Sequence, residues 1–423
     1  MDTIFPEQAL RQEAIRRRLL GESRSMICHA LGRSPRWFDK WWREYQDIPL
    51  SDLANHSRAP LLSPQATSAG VEDAILQIRH TLEAAATPET KYGLIGAATI
   101  QGELERLHIR PVPSQPTIQR ILARHGVTHP VGAGSALAYY PWPIAWAVNA
   151  IQATDIITRH VQGGEEIENL HTIDHFSQAV ALTPATTKTS AILCTHLRKC
   201  WTKLGRPFIH QMDNEAAFCG GHTHPGVMGQ VVRLCLFCGV EPLFTPYYEP
   251  KRNYQIETFH SVWVRSFWSR ARFRNLDHVQ AEIPLFLQWY HTRYRPPSLD
   301  GHTPAQLRQG CPTWPLTTAL QHLIPTGHLP LTAGRVHFMR KVEQTGEITL
   351  LNETWPVGEK WIGEYVRATI HTAEQTLTIW HQADAETEWH RIKSRLFRLK
   401  EPVHELLPAF RRNCARCRDC LPG

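Results

Sequence analysis

The stretch HTIDHFSQAVALTPATTKTSAILCTHLRKCWTKLGRPFIHQMD, residues 171–213, decides the fold. Its first half reads as two β-strands around a turn. TKTSAILCTHLRKCWTKLG is an amphipathic helix that stops at Gly205, and RPFIHQMD is a short apolar strand with an acid at its end. Working outward, AVNAIQATDII (147–157) is a further strand. GVMGQVVRLCLFCG (226–239) is a helix closed by Gly239, VEPLFTP (240–246) is another strand, and a long helix begins at Asn253. A meander of strands followed by strand–helix alternation implies an α/β core with a mixed sheet.

The flanks differ in pattern. Residues 1–48 read as three helices, with Gly21 breaking the first and Gly32 ending the second. Ser34 and Pro35 supply the cap and first turn of the third. Helix, short turn and helix is a helix-turn-helix pattern. Trp37, Trp41 and Tyr45 recur every four residues and should pack inward, leaving Arg36, Lys40 and Arg43 to face DNA. Residues 49–70 form a Ser/Pro/Ala-rich linker. Residues 71–126 repeat a helix-break-helix arrangement, with Ser114 and Pro116 opening the last helix, and 127–146 are a Pro/Gly/aromatic connector. The segment 147–310 is the α/β core. Five short period-two strands over 333–400 suggest a small β-barrel, and 401–423 is a basic, Cys-containing tail.

Composition narrows the class. The chain has 423 residues, 20% charged and 42% hydrophobic, so it is neither disordered nor a coiled coil. A formal charge of +7 leans toward an acidic partner such as nucleic acid. The longest stretch free of Asp, Glu, Lys and Arg, Val127–Thr154, is broken by three prolines, so no membrane span is expected. The first residues hold no apolar signal-peptide core. Ten cysteines are too sparse for a disulfide scaffold, and a cytoplasmic, DNA-associated protein is the expectation. No GxxxxGK[ST] loop and no GxGxxG opening a helix occur, so ATP or NAD use is not indicated. Cys414, Cys417 and Cys420 lack a fourth ligand nearby, so a basic tail is expected there and not a zinc site. Cys235 and Cys238 are read as helix packing, and Cys219, His222 and His224 as part of a loop.

Three carboxylates stand out by position. Asp155 lies in the first core strand, Asp213 ends FIHQMD, and Glu257 opens the helix NYQIETFHSVWVRSF. Two strand ends and one helix can converge at a sheet edge. Such acids repel one another unless cations sit between them, and Mg²⁺ prefers carboxylate oxygen. Lys251, Arg252, Arg265, Arg270, Arg272 and Arg274 lie near or along the Glu257 helix, and read as a phosphate track.

These segments resemble the catalytic core of the aspartate-aspartate-glutamate (DDE) transposases and retroviral-type integrases, especially bacterial insertion-sequence enzymes. Asp213, Asn214 and Phe218 match the family's D-N-x-x-x-F. Asn253, Glu257, Phe259 and His260 match N-x-x-x-E-R-F-H, and TPYYEPKRN resembles S-P-Y-x-P-x-x-N. HTIDHFSQAVAL resembles the second-strand pattern around Asp174. The resemblance covers residues 145–300.

It implies a ribonuclease H-like α/β core with helix-turn-helix domains before it and a small barrel after it. It also implies two Mg²⁺ ions (Mn²⁺ substituting) held by Asp155, Asp213 and Glu257. The implied activity is 3′-end cleavage and strand transfer on double-stranded DNA, both element terminal repeats and target. A homodimer or larger synaptic complex is implied, and a separate ATPase subunit is left open. Asn214, Asn253 and His260 are neighbours of the metal or DNA on this reading. The sequence departs from the family in three ways. There are 43 residues between Asp213 and Glu257, more than usual, with the excess placed in CGGHTHPGVMGQ. Glu215 replaces a Gly, and Thr258 replaces an Arg. Two rival readings remain: a catalytically inactive, transposase-derived DNA-binding regulator, and a metal-dependent nuclease without strand transfer.

Overall fold

The computed structural model describes residues 6–47, 67–85, 91–127, 140–220 and 225–412. Most of the expected linker and connector, His222, His224, Cys414, Cys417, Cys420 and the side chain of Lys251 lie outside the described residues. The chain divides into two compact units, Met1–Ala66 and Thr67–Gly423.

The first unit holds α1 (Pro6–Leu19), α2 (Arg24–Ala30) and α3 (Pro35–Tyr45). Ser23 and Ser34 each accept a backbone N–H three residues on, which fixes where α2 and α3 begin. Ala14, Ile27, Cys28 and Phe38 form the core, with Ile15 against Trp41. Trp41 is inside as expected, whereas Trp37 is only half-buried and Phe38 takes its place. Arg36, Lys40 and Arg43 are exposed along one stripe of α3.

The second unit begins with α4 (Ala69–Ala84), α5 (Ala97–Arg106) and α6 (Gln115–Arg124) around Ile75, Ile100, Leu104 and Ile118. Next come β1 (Ile151–His160), β2 (Glu166–Asp174) and β3 (Val180–Ala185), an antiparallel meander. Then follow α7 (Ser190–Leu204), β4 (Ile209–Met212), the single turn α8 (Ala216–Cys219), α9 (Gln230–Phe237) and β5 (Glu241–Phe244). β4 runs parallel to β1, and β5 parallel to β4. α10 (Tyr254–Ser266) and α11 (Leu276–Thr292) complete the core. The core is thus mixed α/β, with its strands in the order β5-β4-β1-β2-β3.

Adjacent residues of a strand point to opposite faces, and Val180 and Ala181 enter different cores. Under one face lie Leu193, Leu197 and Trp201 of α7 with Val231 and Leu234 of α9. Under the other lie Phe259 and Trp263 of α10 with Phe286 and Tyr290 of α11. Each aromatic so buried contributes ~2–3 kcal/mol of transfer free energy. These two layers hold the ends of β1 and β4 and the first turn of α10 in fixed relation.

The pairings of the described strands do not confirm the expected C-terminal barrel. After two short helices, α12 (Pro304–Arg308) and α13 (Thr318–His322), the chain makes β6 (Arg335–Lys341), β7 (Glu347–Leu350), β8 (Glu353–Pro356), β9 (Tyr365–His371), β10 (Thr376–His381) and β11 (His390–Leu396). β6 pairs parallel with β5 through Leu243–His337 and Phe244–Phe338. The described strands therefore build one nine-stranded sheet, β11-β10-β9-β6-β5-β4-β1-β2-β3, with β7 and β8 as a separate hairpin. The physical reason is the edge of β5. Left bare it would expose a row of backbone donors and acceptors, and β6 covers it. None of the described helices is long and apolar enough to cross a membrane.

Candidate active site

The register of the sheet brings the acids together. Ala153 of β1 lies opposite Gln211 of β4 in a parallel ladder, so Asp155 and Asp213, each two residues on, sit at one level. Asp155 is half-buried and accepts the Ile156 N–H at 2.8 Å. Asp213 follows the last residue of β4 and accepts the Glu215 N–H at 3.0 Å. Glu257 stands in the first turn of α10. All three line one cleft of about 510 Å³, together with Asn214, Tyr247 and Asn253.

Charge is concentrated there. Burial, with repulsion from Asp213, Glu257 and Glu215, pushes the Asp155 carboxyl up to about 7, against the pull of the Ile156 N–H. Burial raises Asp213 and Glu257 as well. Lys188 pairs with Glu215 at 2.6 Å and its charge also draws Asp213 down against the burial.

His260 lies one turn after Glu257 and is buried. Its Nδ1 is 3.8 Å from a Glu257 oxygen and 4.0 Å from an Asp155 oxygen. Desolvation lowers it to about 4, so the ring is neutral at pH 7. Asp155, Glu257 and His260 each offer one atom to a group lying within 4.8 Å of one another, a spacing that can hold a metal ion. Behind His260, the His171 ring of β2 sits 5.0 Å away and is wedged against Phe259 and Trp263.

The two asparagines are engaged in the scaffold. Asn253 accepts from the Gln211 amide at 2.9 Å. Asn214 donates to the Thr245 carbonyl at 2.6 Å and accepts from Arg340 at 2.7 Å. Arg340, on β6, is a residue that sequence reasoning missed. Its buried guanidinium also donates to the carbonyls of Thr245, Met339 and Thr349, and lies 4.3 Å from the Tyr247 ring centre. Its only trace in the sequence is a cation on the inward-facing side of an alternating strand. Asp174 is likewise structural. At the end of β2 it accepts from Asn149 N–H and from Ser177, with Arg308 at 3.4 Å.

The basic residues divide. Arg265 is exposed near the end of α10, as are Arg272 and Arg274. Arg252, expected on the phosphate track, is buried instead. It pairs with Glu249 at 2.7 Å, donates to the Tyr365 hydroxyl at 2.9 Å, and its guanidinium carbon lies 4.4 Å from the Tyr140 ring. Aromatic rings from the connector and β9 enclose it, so it joins elements and does not face phosphate. Arg270 is similarly occupied, donating to the carbonyls of Leu82 and Gly93.

No family model matches the chain, and no curated protein does so either. Solved structures do resemble it. The HTLV-2 integrase catalytic core domain in complex with magnesium is 16% identical over 39% of this chain and 99% of its own, with a TM-score of 0.31. The simian T-cell lymphotropic virus intasome in complex with PP2A regulatory subunit B56 gamma is 16% identical over 72% and 95%, with a TM-score of 0.36. The BIV integrase catalytic core domain is 15% identical over 37% and 92%, with a TM-score of 0.29.

Proposed function

We propose that this protein is a DNA strand-transfer enzyme of the insertion-sequence transposase type. One observation carries the reading: Asp155, Asp213 and Glu257 arrive from two neighbouring strands and a helix at a single cleft. Carboxylate oxygens are hard donors, and their crowding disfavours three bare charges, so the set fits divalent cations. Two Mg²⁺, or Mn²⁺ in their place, would supply activation of the attacking oxygen and stabilisation of the leaving oxygen in phosphoryl transfer.

The chain's own residues do the rest. Asp155, Asp213 and Glu257 would together hold the ions. The N–H groups of Ile156 and Glu215 hold the first two carboxylates in place. Arg340, through Asn214, stiffens the turn that carries Asp213. The exposed stripe Arg36, Lys40 and Arg43 on α3 contacts the element's terminal DNA in the manner of a recognition helix, and Arg265 on α10 contacts phosphate. Because two DNA ends must be joined to one target, a homodimer or larger synaptic complex is the working form.

The test is incubation of the full chain with its element's terminal DNA and Mg²⁺, beside Asp213→Asn. End nicking and joining to a target, lost in the variant while binding persists, supports the proposal. Cutting without joining identifies a nuclease. Binding with no cutting in Mg²⁺ or Mn²⁺, unchanged in the variant, identifies a regulator.

A further inference from the structure

We infer that His260 supplies an imidazole nitrogen to the metal position shared by Asp155 and Glu257, so that the two ion positions are chemically unequal. This rests on the carboxylate reading above and adds a ligand to it.

The geometry is specific. Glu257 and His260 are three residues apart on α10 and therefore share a face. The distances of 3.8 and 4.0 Å from His260 Nδ1 to Glu257 and Asp155 are too long for hydrogen bonds. They suit two ligands of one ion, since donors ~2.1 Å from a common centre stand roughly 3–4 Å apart. The ring cannot swing out to solvent: it is only 6% exposed and rests against His171. Among the described residues its other nitrogen, Nε2, is buried with no hydrogen-bond partner. Asp213 is not in this close group. One position would then draw on carboxylate oxygens alone and the other on mixed nitrogen and oxygen donors.

The consequence is metal preference. Imidazole suits borderline transition ions better than Mg²⁺. Mn²⁺ is expected to enter the mixed position more tightly than Mg²⁺, and His260→Asn to weaken Mn²⁺ by at least the ~10-fold that even outer-shell losses cost.

Pulsed electron paramagnetic resonance of the full chain loaded with Mn²⁺ reads this directly. Modulation from a coordinated ¹⁴N is expected in the wild type, retained in Asp213→Asn and lost in His260→Asn. Bound Mn²⁺ without ¹⁴N modulation, or modulation that survives His260→Asn, overturns the inference and leaves the carboxylate site standing. No Mn²⁺ binding at all overturns both. Should His260→Asn not fold, His171→Phe replaces it. Modulation retained without the neighbouring ring supports His260, and its loss refutes the assignment.

Discussion

Asp155→Asn should make the metal-free protein more stable while abolishing the chemistry. The folded chain holds the Asp155 carboxyl at about 7 against an ordinary value of 3.8, chiefly through burial and then through Asp213, Glu257 and Glu215. Below about pH 3 the group is largely protonated folded or unfolded, and the site costs little. As pH rises, the unfolded chain ionises first. Stability is lost progressively until pH passes the folded value, after which the cost is constant. At ~1.4 kcal/mol per pH unit the full cost is about 4 kcal/mol, and relaxation of the cleft brings the expected gain to about 2–4 kcal/mol. Asparagine keeps the oxygen that accepts the Ile156 N–H and removes the charge. Denaturation in EDTA should show the variant more stable at pH 8, by ~1–2 °C per kcal/mol in a thermal scan, with the gain shrinking toward pH 5. Mg²⁺ should stabilise the wild type much more than the variant. A variant no more stable at pH 8, or one whose gain is the same at pH 5, refutes the crowding argument.

Other substitutions test the scaffold and the DNA face. Arg340→Met strips donors from Asn214 and three carbonyls, while relieving the burial that lowers the guanidinium to about 10. The net is a loss of about 3 kcal/mol in urea unfolding, and wild-type stability in the variant counts against the clamp. Gly229→Ala places a Cβ 2.7 Å from the Gly220 nitrogen, at the pinched base of the loop after α8. Overpacking against backbone should lower stability by about 1–3 kcal/mol, measured the same way. Arg36→Ala and Arg43→Ala should each weaken binding to terminal DNA and reduce the slope of log affinity against log salt by about 1, read by fluorescence anisotropy. An unchanged slope removes α3 from the interface.

Local pattern revealed the core and not its partners. The strand–helix alternation from Ile151 to Phe244 is legible because each element carries its own period and its own stop, such as Gly205 after α7. Asp155 was marked by its apolar strand, Asp213 by a strand end and Glu257 by the start of a helix. Pairing across long stretches of chain was not. Alternation in VHFMRKV announces a strand but says nothing of β5 as its neighbour, which is why a barrel was the natural expectation. Arg252 shows the same limit. Its place among basic residues suggests a phosphate contact, yet Tyr140 and Tyr365, each more than a hundred residues away in sequence, come to enclose it. His260 was visible as part of a motif, but only the helical turn and the β1 register bring its nitrogen beside two carboxylates.

The seating of β6 against β5 has a consequence for biosynthesis. Asp155, Asp213 and Glu257 are all translated well before Arg340, which must thread in beside Phe244 to lock Asn214. At ~5–20 residues per second the ribosome takes roughly 4–16 s to pass from the last acid to that arginine. During that interval the nascent chain carries every acid of the cleft and the helices of the first unit, but not the strand that finishes the wall. A message broken before β6 yields a product of the same kind. It keeps the exposed basic stripe of α3 and lacks the clamp on the Asp213 turn, so the wall of the cleft is complete only once β6 has been made.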